Sequence, residues 1–124
     1  DEVARILSPG GTFLTQQVHG LWAQDLLAVF AARPQWPDAT PAYYLPRLEG
    51  AGLQIERAEE WQGSLAFTDV GAIVYYLKAV PWNVPGFSVD RHREHLLGLQ
   101  RRLDSGEVLT FEARKYIIEA RKAV

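Results

Sequence analysis

Cysteine and methionine are both absent from this sequence. Without cysteine there is no disulfide framework and no zinc ribbon, although that alone says little about compartment. Neither sign of charge dominates: 13 Lys and Arg stand against 15 Asp and Glu, for a net charge of -2. The basic residues are scattered among acids and form no stripe, so nucleic acid is not an expected partner. Long hydrophobic runs are missing too. The most apolar stretch, VGAIVYYLKAV at 70–80, is about half the roughly 20 residues needed to span a bilayer, so no membrane partner is expected. No secretion signal opens the chain, and a cytoplasmic location is expected. Repeats and low-complexity tracts are absent. What is present is 48% hydrophobic residues in a chain of 124, enough for one globular domain with a core. The lack of methionine at position 1, and a start on DEVARIL that reads as helix interior, are expected of a piece of a longer protein. A chain beginning at a domain boundary, or a processed one, is the alternative.

Residues 1–7 fit the tail of an amphipathic helix with Val3, Ile6 and Leu7 on one side. Ser8-Pro9-Gly10-Gly11 stops it, since proline cannot continue the ladder and glycine accepts the positive φ that follows a helix. Thr12 to Val18 is then a strand that begins apolar and ends in two amides, Gln16 and Gln17. Residues 21–32 predict a helix, with Trp22, Leu26, Val29 and Phe30 in one stripe. After a proline-rich loop, Thr40 caps the next helix and Pro41 suits its first turn. Tyr44, Leu45 and Leu48 share a face, and Gly50 or Gly52 ends it. Residues 53–61 alternate as an outer strand that grows more exposed toward its end.

Asp69 caps a helix over 70–80 whose apolar character runs round most sides, which predicts packing on most sides. Ser88 caps a long helix to about Asp104, with His92, Leu96, Leu99 and Leu103 inward and Gly106 closing it. The last segment is divided. Glu, Ala, Arg and Lys favour helix, whereas Tyr116, Ile118 and Ala120 alternate with Lys115, Ile117 and Glu119. Pattern alone leaves both open.

EVARILSPGGTFLTQQV resembles the helix, Pro-Gly-Gly turn and strand of class I S-adenosylmethionine-dependent methyltransferases, just after their cofactor-binding half. LEGAGLQIERAEEW is similar to that family's next helix and strand. FTDVGAIVYYLKAVPWNVPGFSV and YIIEARK resemble the C-terminal part of a bacterial, type 11-like subgroup. The resemblance covers nearly the whole chain. It implies an α/β fold: a partial Rossmann-like methyltransferase fold with a three-stranded sheet, flanking helices and a helical insert. The strands correspond to five, six and seven of a seven-stranded sheet, in the order 5-7-6 with the last antiparallel. That places a strand at about 114–122 against local propensity. The chain is then one partial domain over 1–124, with a helical insert or lid at 62–112.

The family's glycine-rich loop and acidic strand-two residue have no counterpart here. Gly10-Gly11 precedes a strand instead of following one. The resemblance therefore implies S-adenosylmethionine in a full-length parent, no cofactor bound by this chain alone, and a chain inactive unaided. The substrate implied is a small molecule.

In open α/β sheets ligands sit outside the carboxyl ends of the parallel strands. Gln16 and Gln17 stand at that end, and one of them should face the crevice, where an amide can both donate and accept. The other reading is that a glutamine only ties down the next loop. His19, just past the strand, is the candidate general base, against the plainer reading of a solvated loop histidine. Trp61, Phe67, Tyr75, Tyr76, Trp82 and Phe87 make the insert aromatic. A lid would use Tyr75, Tyr76 and Trp82 to shape a substrate pocket; otherwise these rings are the insert's own core. His92 and His95 are three apart but lack further ligands, so no metal is expected. Finally, the resemblance implies that strand five normally pairs with strand four; in a fragment its edge would be bare and apolar on both faces, so self-association is expected through that edge or the uncovered sheet face. A stand-alone interaction or dimerisation module derived from the same fold is the alternative function.

Overall fold

A computed structural model describes all 124 residues, Asp1–Val124. Five helices and three strands alternate along the chain: α1 (Glu2–Ile6), β1 (Thr12–Val18), α2 (Gln24–Val29), α3 (Pro41–Gly50), β2 (Leu53–Phe67), α4 (Val70–Ala79), α5 (Arg93–Asp104) and β3 (Leu109–Lys122). The strands form one sheet in the order β1-β3-β2. β3 runs antiparallel to β1, in a register from Thr12 opposite Arg121 to Val18 opposite Lys115. This is the mixed α/β fold and strand order that the resemblance implies, with the last segment a strand. No helix is long and apolar enough to cross a membrane.

The residues group into two compact units. One comprises residues 1–22, 36–62 and 114–124; the other comprises 23–35 and 63–113.

In the first unit, Gly10 takes φ +78° and its N–H donates to Lys122 O, so the Pro-Gly-Gly turn is tied to the end of β3. The Lys122 ammonium donates to the carbonyls of Ala4 (2.6 Å) and Leu7 (2.9 Å), meeting the open carbonyls at the end of α1. Ile6, expected on the inner side of α1, is instead 64% exposed, because a five-residue helix offers only about one full turn to the sheet. Thr40 caps α3 through its hydroxyl, which accepts from Tyr43 N, and Pro41 sits in the first turn as predicted. Tyr116, Ile118 and Ala120 of β3 are buried, as is Leu53 at the start of β2.

In the second unit, Leu26, Leu27, Phe30, Ile73, Leu77, Leu96, Leu99, Leu109 and Phe111 are buried. Asp69 caps α4 with its carboxylate, which accepts from the N–H groups of Gly71 and Ala72. Three expectations need correction here. The helix read over 21–32 is confined to Gln24–Val29, because Ala23 (φ 52°) and Ala31 (φ 55°) adopt the left-handed conformation at its two ends. The Asp25 carboxylate then accepts from Glu112 N at 3.0 Å, anchoring the shortened helix to β3. Ser88 does not begin α5; its hydroxyl accepts from Arg91 N in a preceding turn, and the helix starts at Arg93. And α4 is not packed on most sides, since Tyr75 is 77% exposed.

Both later strands exceed their predicted spans. β2 continues past Trp61 to Phe67, and β3 begins at Leu109 instead of near 114. In β3 the buried set runs Leu109, Phe111, Ala113 and then Tyr116, Ile118, Ala120. The alternation changes phase between Ala113 and Tyr116, where the two units meet along the chain.

Candidate functional site

Successive side chains of a strand point to opposite faces, and this separates the two glutamines at the end of β1. Gln16 opens onto a cavity of about 420 Å³, whose wall includes Glu59 and Trp61 of β2 and Lys115 and Ile117 of β3. Gln17 opens onto a second cavity of about 350 Å³, with Phe13 and Thr15 of β1, Tyr44 and Leu48 of α3, and Ile118. Tyr116 borders both. The Gln17 amide nitrogen donates to Thr15 Oγ1 at 2.7 Å, so its orientation is fixed within the strand. The Gln16 side chain, by contrast, is exposed.

The first cavity is chemically mixed. The Lys115 ammonium lies 5.8 Å from the centre of the Trp61 ring, within cation–π range. Glu59 is paired with Arg57 at 2.8 Å, and that hydrogen bond holds its carboxyl below the usual carboxylate range. An exposed indole, an ammonium, a carboxylate and an amide thus converge on one opening. Such a wall can stack an apolar or planar group and orient polar ones around it. At the second cavity the Tyr116 hydroxyl is pushed above the ordinary phenol range, by burial first and by Tyr44 second. It stays a neutral hydroxyl at physiological pH, able to donate and to accept.

His19 is not a solvated loop residue: it is 4% exposed. Its backbone N–H donates to Arg114 O, continuing the β1–β3 ladder one residue past the strand. Its ring is engaged at both nitrogens. Nδ1 accepts from Leu21 N at 3.0 Å, and Nε2 faces a Glu60 carboxylate oxygen at 3.0 Å. A backbone N–H can only donate, so Nδ1 is the acceptor and Nε2 carries the hydrogen toward Glu60. For His19 to take a proton from a substrate, the Leu21 N–H would have to give way. The same Glu60 carboxylate is 3.8 Å from Arg114. Glu60 thus draws two cationic or hydrogen-bearing groups from β3 and the end of β1 onto β2.

The remaining predicted residues belong to the second unit. Tyr76 accepts at its hydroxyl from Asn83 Nδ2 at 2.9 Å, and its ring contacts Phe67, which in turn contacts Phe111. Tyr75 is 77% exposed, and Trp82 is about half exposed. Phe87 stacks on His92 at 5.2 Å, and Phe30 meets Phe87, His92 and His95 edge-on or tilted. His92 is therefore part of an aromatic core and not of a polar helix surface. No group of three or more His, Cys, Asp or Glu is assembled for a metal.

The opposite facing of Gln16 and Gln17 follows from their adjacent places at the strand end. Glu59, Glu60 and Lys115 were not singled out by sequence. The signal available was the run EEW at 59–61, in the middle of β2, whose charge and aromatic character are unusual for a strand's interior positions.

These features define a methyltransferase-like α/β fold, present in part. A solved protein of Bacillus halodurans, whose assignment as a methyltransferase is provisional, is similar to this chain with a TM-score of 0.55 and 16% sequence identity. The match covers 99% of this chain and 56% of that protein, so this chain spans little more than half the length of that neighbour. No family model and no curated protein matches the sequence.

Proposed function

We propose that this chain is the C-terminal, substrate-side half of an S-adenosylmethionine-dependent methyltransferase of the bacterial type 11-like kind, acting on a small molecule. The observation that carries the reading is the sheet, ordered β1-β3-β2 with β3 antiparallel to β1, on a chain that matches little more than half of a methyltransferase-like neighbour. S-adenosylmethionine supplies an electrophilic methyl group on sulfur. What this chain contributes is the position of the acceptor and the shape of its site, on which an in-line displacement chiefly depends. Gln16 orients the acceptor's polar group at the end of β1, with Trp61 and Lys115 forming the wall beside it. Gln17, bonded to Thr15, and the neutral Tyr116 hydroxyl shape the opposite face. Glu60 and His19 hold the end of β1 against β2.

The test is methyl transfer by the complete polypeptide that the gene encodes. Incubated with methyl-labelled S-adenosylmethionine and a small-molecule extract, it is expected to label a small molecule. Gln16→Ala is expected to raise KM by about tenfold with little change in kcat, the loss of one orienting hydrogen bond. Label found only on protein or nucleic acid, or none at all with the cofactor bound, contradicts the reading.

A further inference from the structure

The ionised side chains around the first cavity are not equally engaged. Its wall includes Gln16 of β1, Glu59, Glu60 and Trp61 of β2, and Lys115 of β3. Glu59 is bonded to Arg57 at 2.8 Å. Glu60 faces His19 Nε2 at 3.0 Å and Arg114 at 3.8 Å. Both carboxylates are therefore matched by groups of this chain. Lys115 is not matched in that way. It is half-buried, and its ammonium meets the Trp61 ring, 5.8 Å from the ring centre, in place of a carboxylate. That distance is near the outer limit of cation–π contact, so the ring face is not closed off, and Trp61 stays 53% exposed. Drawing a charge out of water without a counter-ion is costly, and a ligand anion offsets that cost. The methyltransferase reading extends the sheet beyond β1, whereas this charged and aromatic wall stands on β2 and β3.

We propose that the first cavity takes a planar aromatic carboxylate. The carboxylate accepts from the Lys115 ammonium, and the ring lies against Trp61. A polar ring substituent meets the Gln16 amide, which can donate and accept. Other classes of ligand match less of this wall. A cation would be repelled by Lys115, which already holds the cationic place beside the indole. A neutral planar molecule leaves the ammonium unpaired. An aliphatic acid leaves the indole face uncovered. A phosphate dianion calls for a second cation, and Arg57 and Arg114 are drawn to Glu59 and Glu60. The cavity of about 420 Å³ lies toward the lower end of the range for small-molecule sites, which suits an acid of one or two rings. The inference rests on the methyltransferase reading only in taking this cavity for the acceptor's, and it names the acceptor's class.

Calorimetric titration of the complete polypeptide that the gene encodes, without S-adenosylmethionine, tests it. The probes are 6-hydroxy-2-naphthoate, its neutral carboxamide, and cyclohexanecarboxylate. The naphthoate is expected to bind with a Kd on the order of 10⁻⁴ M, and the other two at least about tenfold more weakly. Lys115→Gln is expected to weaken the naphthoate by at least about tenfold and to leave the carboxamide unchanged. Lys115→Arg is expected to keep the naphthoate within about threefold of wild type, because it keeps the charge. Unchanged circular dichroism checks that both variants fold. Binding is read here without methyl transfer, so the two readings fail separately. A polypeptide that binds the naphthoate and methylates nothing supports the cavity's ligand class and counts only against the methyltransferase reading. No binding of the naphthoate, a carboxamide bound as tightly, or naphthoate binding untouched by Lys115→Gln would each overturn the proposal, whether or not the polypeptide transfers methyl groups.

Discussion

Gly20→Ala is expected to cost about 3 kcal/mol of folding stability, toward the upper end of what added atoms cost in a packed site. Gly20 follows His19 at the end of β1, and its N–H donates to Ala39 O at 2.8 Å. The loop from Trp36 to Ala39 lies directly against its Cα. A methyl group there would stand 2.1 Å from Trp36 O and 3.1 Å from both Ala39 N and Pro37 C. These are backbone atoms, which cannot swing aside as a side-chain tip can. Either the loop or the end of β1 must move, and His19 and Gln17 move with it. Gly50→Ala provides the contrast. Gly50 is the last residue of α3, and an added Cβ would meet nothing within 4 Å. It is expected to leave stability unchanged or raise it by up to about 1 kcal/mol, since alanine favours helix. Urea denaturation of the two variants checks both signs. A Gly20→Ala protein as stable as wild type would mean that the loop does not clamp the strand end.

Ile118→Ala is expected to cost about 3 kcal/mol as well, by a different route. Ile118 is 1% exposed, lies on the central strand opposite Thr15, and borders the second cavity. Truncation removes buried apolar surface and enlarges a cavity that already exists, and both terms destabilise. Its neighbour Ile117 has the same side chain, but it is only half-buried and points to the other face. Ile117→Ala is expected to cost less than about 1 kcal/mol. The difference between two adjacent isoleucines is a direct reading of which face of β3 is packed. Equal losses in thermal or urea melts would contradict the strand assignment itself.

That assignment marks the limit of what local pattern could supply. Glu, Ala, Arg and Lys at 112–122 favour helix, yet the segment is a strand because it lies between β1 and β2 and bonds to both. Alternation was present in the sequence but changes phase between Ala113 and Tyr116, so one period fitted to the whole segment fails. The family resemblance supplied what the pattern lacked, namely the strand order. Caps were plainly legible: Thr40 and Asp69 each do what their side chains predict at a helix N-terminus. The start of α2 was not, because nothing in the apolar stripe Trp22, Leu26, Val29 and Phe30 signals that Ala23 takes a left-handed φ. At the site, the parity of Gln16 and Gln17 was readable, whereas the Glu60 contacts were not. They join β2 to His19, just past β1, and to Arg114 within β3, and sequence distance hides such pairings.

We propose, centrally, that this chain carries the substrate side of a methyltransferase fold and that the cofactor site lies elsewhere in the complete polypeptide. Calorimetric titration with S-adenosylmethionine tests it most directly, run on this chain and on the complete polypeptide the gene encodes. The account predicts no binding heat for the 124-residue chain and saturable binding for the complete polypeptide. Tight, saturable binding by this chain alone, or none by the complete polypeptide, would contradict it.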